Sequence, residues 1–321
     1  MPKTKKMENK SESLNDKKQG EFQPLILVDT SYTSFYRFFA TIRWYSFAYP
    51  DEFKEYKSDP KYDWKTNKIF IEKYEKMYLD SIIKLIKKKV WDKSQILFCM
   101  DSPKADLWRT QIHCDYKGDR VDLSLKHDFK PTFEYTYSTM IPNFIKTYPN
   151  IKSLRVEKME ADDLIAIISM QLNNSHPDRP VYLVSGDEDF LQLGRDKLTF
   201  VNYKVKKPFV LTEEEAAKAL HDKFINGDVS DCIPSIFPKG KKIKKKEILE
   251  SEEKLREYLD SNPDAKKQYE FNKKMIEFKN IPKLYVNKVT KLFDSIVWQG
   301  INVPLPSNKL NKESINKDID V

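Results

Sequence analysis

Short apolar runs recur along this chain, and several of them end on an aspartate. They are QPLILVD (23–29), QILFCMD (95–101), SLRVE (153–157), PVYLVSGDED (180–189) and KLTFVNY (197–203). Runs this short and this uniformly apolar read as strands buried on both faces, the habit of a parallel sheet. Between them, IFIEKYEKMYLDSIIKLIKKKV (69–90) and ADDLIAIISMQL (161–172) carry apolar residues at helical spacing. Strand–helix alternation predicts an α/β domain, a doubly wound and mainly parallel sheet flanked by helices. From about residue 212 the pattern turns helical, in TEEEAAKALHDKF (212–224), 246–260 and 264–278. A helical C-terminal part is therefore expected to pack on the sheet. Residues 50–66 and 103–135 show little regular pattern, and the second stretch is long enough to serve as a functional loop.

Composition narrows the class of function. Lys+Arg total 57 against Asp+Glu 49, a net charge of +8 that favours a polyanionic partner. No apolar run is long enough to span a membrane. The stretch MPKTKKMENKSESLNDKKQG (1–20) lacks the apolar core of a signal peptide and reads as a disordered basic tail. Cys99, Cys114 and Cys232 lack CxxC spacing, and the four histidines are scattered as well. An intracellular protein in a reducing compartment, without structural zinc, is the expectation. Only seven glycines are present, none arranged as a nucleotide-binding loop, and no Ser or Cys sits in a nucleophile motif.

The acids remain, and their positions are informative. Asp29 and Asp101 close two apolar runs, and Asp187 and Asp189 close a third within SGDED. Glu160, Asp162 and Asp163 gather at the start of a helical stretch, and Asp228 and Asp231 fall in NGDVSDCIP. In an open parallel sheet the carboxyl ends of strands share one crevice, so acids on separate strands converge there. Such a group is destabilising by like-charge repulsion unless cations balance it. Mg²⁺ takes carboxylate oxygens and keeps positions for water and phosphate, and two such ions suit phosphodiester hydrolysis. Taken singly, an Asp after a strand is as often a turn former or helix cap, and SGDED alone reads as a surface turn.

In order, VDTSY, CMDSPKADLWRTQIHCDYKGDR, MEADDLIA, SGDEDFLQL and NGDVSDCIP resemble the flap endonuclease/5′–3′ exonuclease superfamily, and among its members the bacteriophage 5′ nucleases of the phage RNase H type. The likeness spans roughly residues 24–295 and includes FNKKMIEFKNIP (271–282). It implies a PIN-like nuclease domain over 21–210 with an arch-like region near 103–135. A helical DNA-binding part over 211–300 and a loose tail over 301–321 complete the implied organisation. The implied activity is structure-specific 5′ cleavage of DNA, exonucleolytic or at a 5′ flap, in replication or repair. By motif match, Asp29, Asp101, Glu160 and Asp162 would hold one Mg²⁺, with Mn²⁺ as a substitute. Asp163, Asp187, Asp189, Asp228 and Asp231 would serve a second ion, some through water. Lys117 matches the catalytic basic residue of the YKG segment, with Arg120 beside it, while Tyr116 and Arg109 would contact DNA.

One departure from the family stands out. Where the family continues into a glycine-rich hairpin that binds the duplex backbone, this chain reads SIFPKGKKIKKKEI. Lys239, Lys241, Lys242, Lys244, Lys245 and Lys246 would supply charge in place of backbone amides; the plain reading of the segment is a solvated loop. The expected partner is DNA with a 5′ single-stranded end or flap, or an RNA–DNA hybrid. No membrane partner is expected, and the chain is expected to act as a monomer. Two alternatives stay open: a PIN-like ribonuclease, and a non-catalytic nucleic-acid-binding scaffold of replication.

Overall fold

The computed structural model describes residues 22–103, 106–118, 127–205, 207–238, 245–249 and 251–298. Five strands form one sheet: β1 (Leu25–Asp29), β2 (Gln95–Met100), β3 (Ile151–Arg155), β4 (Val181–Val184) and β5 (Leu198–Val201). Their order is β3-β2-β1-β4-β5 and every pairing is parallel. The chain steps outward from β1 to β2 to β3 and then returns to lay β4 on the other side of β1. That reversal opens a crevice at the carboxyl ends of β1 and β4, where a doubly wound sheet places its site.

The helices in chain order are α1 (Thr30–Ala48), α2 (Pro50–Lys57), α3 (Lys68–Ile86), α4 (Lys88–Trp91), α5 (Lys130–Tyr135), α6 (Ile141–Thr147) and α7 (Ala161–Ser175). They continue with α8 (Glu213–Asn226), α9 (Lys245–Leu249), α10 (Glu252–Ser261), α11 (Pro263–Ile276) and α12 (Lys283–Asp294). Alternate strand residues feed opposite cores. Leu25, Leu27, Leu97, Leu183 and Leu198 pack with α7 and with Val289 and Phe293 of α12. Ile26, Val28, Ile96, Phe98 and Val184 pack with the aromatic residues of α1 and α3. The C-terminal helix thus shares a core with the sheet.

Several boundaries differ from the sequence reading. The 69–90 stretch divides in two because Lys87 takes a left-handed φ of 76° between α3 and α4. Within 50–66, PDEFKEYK forms α2, started by Pro50 with Asp51 and Glu52 in its first turn. None of its residues is buried, so it leaves no apolar stripe in the sequence. The expected third strand at 153–157 lies at Ile151–Arg155.

After α8, Gly227 turns the chain so that Asp228 pairs back onto Ile233. Gly227 has φ +71° and ψ −167°, a region that side chains avoid. A Cβ there would stand 2.3 Å from the Ile233 carbonyl oxygen. Gly227→Ala is therefore expected to lower unfolding free energy by at least about 2 kcal/mol. Urea titration of both proteins checks this, and matched midpoints would refute it.

Candidate active site

Asp29 ends β1 and caps α1. Its Oδ1 accepts from the Tyr32 amide at 3.0 Å, and its Oδ2 accepts from Ser185 Oγ at 2.9 Å, just past β4. Asp101 follows β2; it accepts from the Ala161 amide at 2.6 Å and from Ser31 Oγ. Asp162 lies in the first turn of α7, and its carboxylate takes part in no hydrogen bond or contact ion pair among the described residues, with Lys117 acting on it from further off. Asp187 follows β4 and is exposed, its amide donating to Ser185 Oγ at 3.2 Å. The ends of β1 and β2, the loop after β4 and the start of α7 thus bring four acids to one crevice.

These carboxylates carry the electrostatic signature of crowding. Burial first, and the charge of Asp101 second, raise Asp29 to about 7. Burial likewise raises Asp101, with Glu160 adding to it, and lifts Asp162 well above the usual carboxylate range, with Asp187 and Asp29 contributing. Asp189 is raised to about 6 by burial and by Asp187.

Two lysines balance the neighbouring acids. Lys117 Nζ donates to Glu160 Oε1 at 2.5 Å and stands 3.9 Å from Asp231 Oδ2. A left-handed backbone at Lys117 (φ 57°), whose amide donates to the Asp231 carbonyl at 3.3 Å, sets this direction. Burial acts to raise Glu160, but Lys117 and Arg109 together hold it below the usual carboxylate range. Lys223, in the last turn of α8, bonds Asp189 and, at 3.0 Å, Asp228 Oδ2. Burial would lower the Lys223 ammonium, yet Asp189 and Asp228 raise it. Sequence reading passed over Lys223; its only signal is a lysine five residues before Asp228 across a glycine turn. Ser31 and Ser185, which orient Asp101 and Asp29, were missed as well.

Three sequence assignments need correction. Arg109 does not face solvent: it is 4% exposed, and its guanidinium pairs with Asp163 at 2.8 Å and Glu160 at 3.2 Å. Its Nε donates to the Met275 carbonyl at 3.2 Å, and its plane lies over Trp108. Buried charge of this kind is structural, out of reach of a DNA strand. Tyr116 is buried too, donating its hydroxyl to Glu160 Oε2 at 2.9 Å, so its ring is not offered to a base. Asp163 is fully buried as the third residue of a capping box with Glu160 and accepts from Trp108 Nε1 at 2.9 Å. That position removes it from the crevice and from a second ion.

Arg120, Lys239, Lys241, Lys242 and Lys244 lie outside the described residues. Lys245 and Lys246 are exposed at the start of α9, with the Lys245 ammonium 5.2 Å from the centre of the Phe237 ring.

Oxygen-only donors with surplus negative charge suit a hard divalent cation. Asp29, Asp101 and Asp162 fit it by chemistry, Asp162 with its carboxylate unengaged among the described residues. No three of the described acids are drawn together as a ready ligand group; like charges repel, and Lys117 and Lys223 engage their neighbours.

Two expected outcomes follow from these charges. Between its usual 3.8 and about 7, Asp29 keeps in the folded chain a proton that the unfolded chain has lost. Its contribution to stability therefore falls as pH rises through that window. In chelator, Asp29→Asn is expected to be more stable than the parent at about pH 8 and to converge with it near about pH 4. Thermal melts across pH test this, and an equally stable parent at the upper end would end the argument. Arg109→Met, which strands the buried Asp163 and leaves Glu160 to Lys117 and Tyr116, is expected to cost about 3–5 kcal/mol in urea unfolding. A solvent-facing DNA contact would leave that stability unchanged.

A family model for the 5′-3′ exonuclease N-terminal, resolvase-like domain matches residues 24–221. Ribonuclease H of Enterobacteria phage T4 is 26% identical over 168 residues, 50% of this chain and 52% of that protein. The match thus spans about half the length of this curated relative. Among solved structures, the bacteriophage T5 protein co-crystallised with metal ions aligns over 84% of this chain and 97% of its own, with a TM-score of 0.55 and 16% identity. The T5 flap endonuclease, in a pseudo-enzyme-product complex with DNA and metal ions, aligns over the same 84% and 97%, with a TM-score of 0.56 and 17% identity. At these identities the solved structures speak for the fold. The family model covers more than half of the sequence and includes Asp29, Asp101, Glu160, Asp162, Asp187 and Asp189, and the chain belongs to the 5′-3′ exonuclease family.

Proposed function

We propose that the chain is a divalent-metal-dependent 5′ nuclease hydrolysing phosphodiester bonds at ends or single-stranded junctions of DNA duplexes. The observation that carries this reading is that Asp29, Asp101 and Asp162 stand at the carboxyl end of one parallel sheet, each raised above the usual carboxylate range first by burial and then by neighbouring acids, an arrangement that a bound cation would relieve. A soluble domain with no use for cations would gain stability by losing them. The phage relatives are a ribonuclease H and a flap endonuclease solved with DNA and metal ions, which supports DNA or an RNA–DNA hybrid as the substrate.

Asp29, Asp101 and Asp162 would hold one Mg²⁺ or Mn²⁺, and Asp187, Asp189 and Asp228 a second. Bound there, such ions supply a water acidic enough to attack at neutral pH and a counter-charge for the leaving oxygen. The protein's own groups set the frame. Ser185 and the Tyr32 amide fix the two oxygens of Asp29, and Ser31 with the Ala161 amide fixes Asp101. Glu160 acts through Lys117, holding its ammonium beside the acids, where it can neutralise a phosphate as charge builds on it. Asp231 supports that lysine from the other side. Arg120 and the lysines of 239–246 are proposed to meet the phosphate backbone. A monomeric enzyme of replication or repair fits this reading.

The decisive measurement is cleavage of a 5′-flap, a nicked duplex and a blunt duplex, with Mg²⁺ and with chelator. Cleavage that needs Mg²⁺ or Mn²⁺ and favours the flap or the 5′ end is expected. Asp162→Asn is expected to lower the single-turnover rate by about 100-fold or more, with DNA affinity retained. Cleavage that persists in excess chelator, or an Asp162→Asn protein at parental rate, would sink the proposal.

A further inference from the structure

Acids in the crevice are balanced in two different ways. Asp29, Asp101 and Asp162 have no contact ion pair with any described Lys or Arg, and Lys117 acts on Asp101 and Asp162 only from further off. Asp189 and Asp228 are bridged by Lys223, which bonds both. Among the described residues Lys223 is the only cation paired with either acid. The rest of the geometry prepares Lys223 for this place. Its carbonyl accepts from the Gly227 amide at 2.8 Å, closing α8, and Gly227 then swings Asp228 back toward the ammonium. Asp228 Oδ1 is occupied by the Ser230 amide at 2.9 Å and hydroxyl at 2.7 Å, leaving Oδ2 for Lys223. The lysine side chain is 20% exposed, so it has a way out to solvent.

From this geometry we infer that Lys223 is the built-in counter-ion of the Asp189–Asp228 pair, and that a divalent cation reaches this pair only by displacing it. The inference rests on the metal-dependent nuclease reading and goes beyond it by ranking the two acid groups. A cation entering the Asp29–Asp101–Asp162 group meets carboxylates that Lys117 offsets only from a distance, and it breaks no ion pair on entry. One entering the Asp189–Asp228 group must first break two charge-assisted hydrogen bonds and release an ammonium into water. The first group is therefore the tighter, and the second fills only at higher cation concentration. The competitor is covalently tethered, so its effective concentration is fixed and high.

Calorimetric titration of the full chain with Mn²⁺, in the absence of DNA, tests this. The parent is expected to show a tight class and a weaker class of binding. Lys223→Met is expected to strengthen only the weaker class, by about tenfold, equivalent to about 1.4 kcal/mol. Lys223→Gln, which keeps a hydrogen-bonding side chain and loses the charge, should give the same gain and provides a second route if the methionine variant folds poorly. Adding Asp228→Asn to either variant should abolish the gain. A weaker class unaltered by both substitutions, or a gain that survives Asp228→Asn, would overturn the role of Lys223. A parent that binds no Mn²⁺ in either class fails differently: the metal-dependent reading itself falls, and the role of Lys223 with it.

Discussion

Like charges gathered at the end of a parallel sheet are the constraint on which the rest of this molecule depends. The strand order carries β1 and β4 side by side with their carboxyl ends opening on the same crevice, and Asp29 and Asp187 follow from where those strands stop. Asp101 arrives by the same logic from β2, and Asp162 from the first turn of α7. Burying such a group costs stability, and the shift of Asp29 to about 7 is a direct expression of that cost. The fold answers with short oriented donors. Two serines and two backbone amides hold Asp29 and Asp101, so the carboxylates are fixed in direction though no described Lys or Arg pairs with them directly. Fixed direction with open charge is the property that a cation site needs.

The loop after β2 is anchored by charge as much as by apolar contact. Arg109 joins three parts of the chain: the start of α7 through Glu160 and Asp163, the end of α11 through the Met275 carbonyl, and Trp108 beneath it. Leu107 and Tyr116 add an apolar patch against Phe224, Ile233 and Met275. His113 reaches the Cys232 carbonyl at 3.1 Å, and the Lys117 amide reaches Asp231. A loop that looks irregular in sequence is therefore sewn at its base to α7, α8 and α11. Through these ties the C-terminal helices bear directly on where Lys117 and Glu160 stand.

Legibility in the sequence followed the physics of each element. β1, β2, β4 and β5 were visible because both faces are largely buried, which gives continuous apolar runs; β3, with Lys152, Ser153 and Arg155 less buried, was read two residues late. Most of the acids were visible because each stands at the end of such a run or opens a helix, while Asp228 and Asp231 were marked only by the NGDVSDCIP segment. α1 was not singled out: its buried face includes Thr30, Thr33, Ser34, Arg37 and Thr41, so no apolar stripe of helical period marks it. α2 has no fully buried residue, only Phe53 and Tyr56 leaning on the core, and so left no apolar stripe either. Arg109 and Tyr116 were misread because a charged residue and a tyrosine in a loop are ordinarily exposed. Their partners, Glu160 and Asp163, lie more than forty residues away in sequence. A contact of that range has no local pattern. A separation of 34 residues, between Lys223 and Asp189, likewise concealed the pairing of that lysine with the acids.

Glu160 shows how one residue can serve the fold and the site at once. It stands at the N-terminus of α7, where its side chain closes a capping box with Asp163. One of its oxygens takes Arg109 and Tyr116, which belong to the scaffold, and the other takes Lys117, which faces the acids. Arg109 shares the neutralisation of Glu160 from the scaffold side, so Lys117, its larger counter-charge, is not its sole one. The ammonium can then be held in place and still be attracted to a phosphate. Without Arg109 the same carboxylate would draw Lys117 as its sole counter-charge and hold it more firmly. The buried arginine, remote from any substrate, thereby sets how much of the positive charge of Lys117 remains available to the crevice.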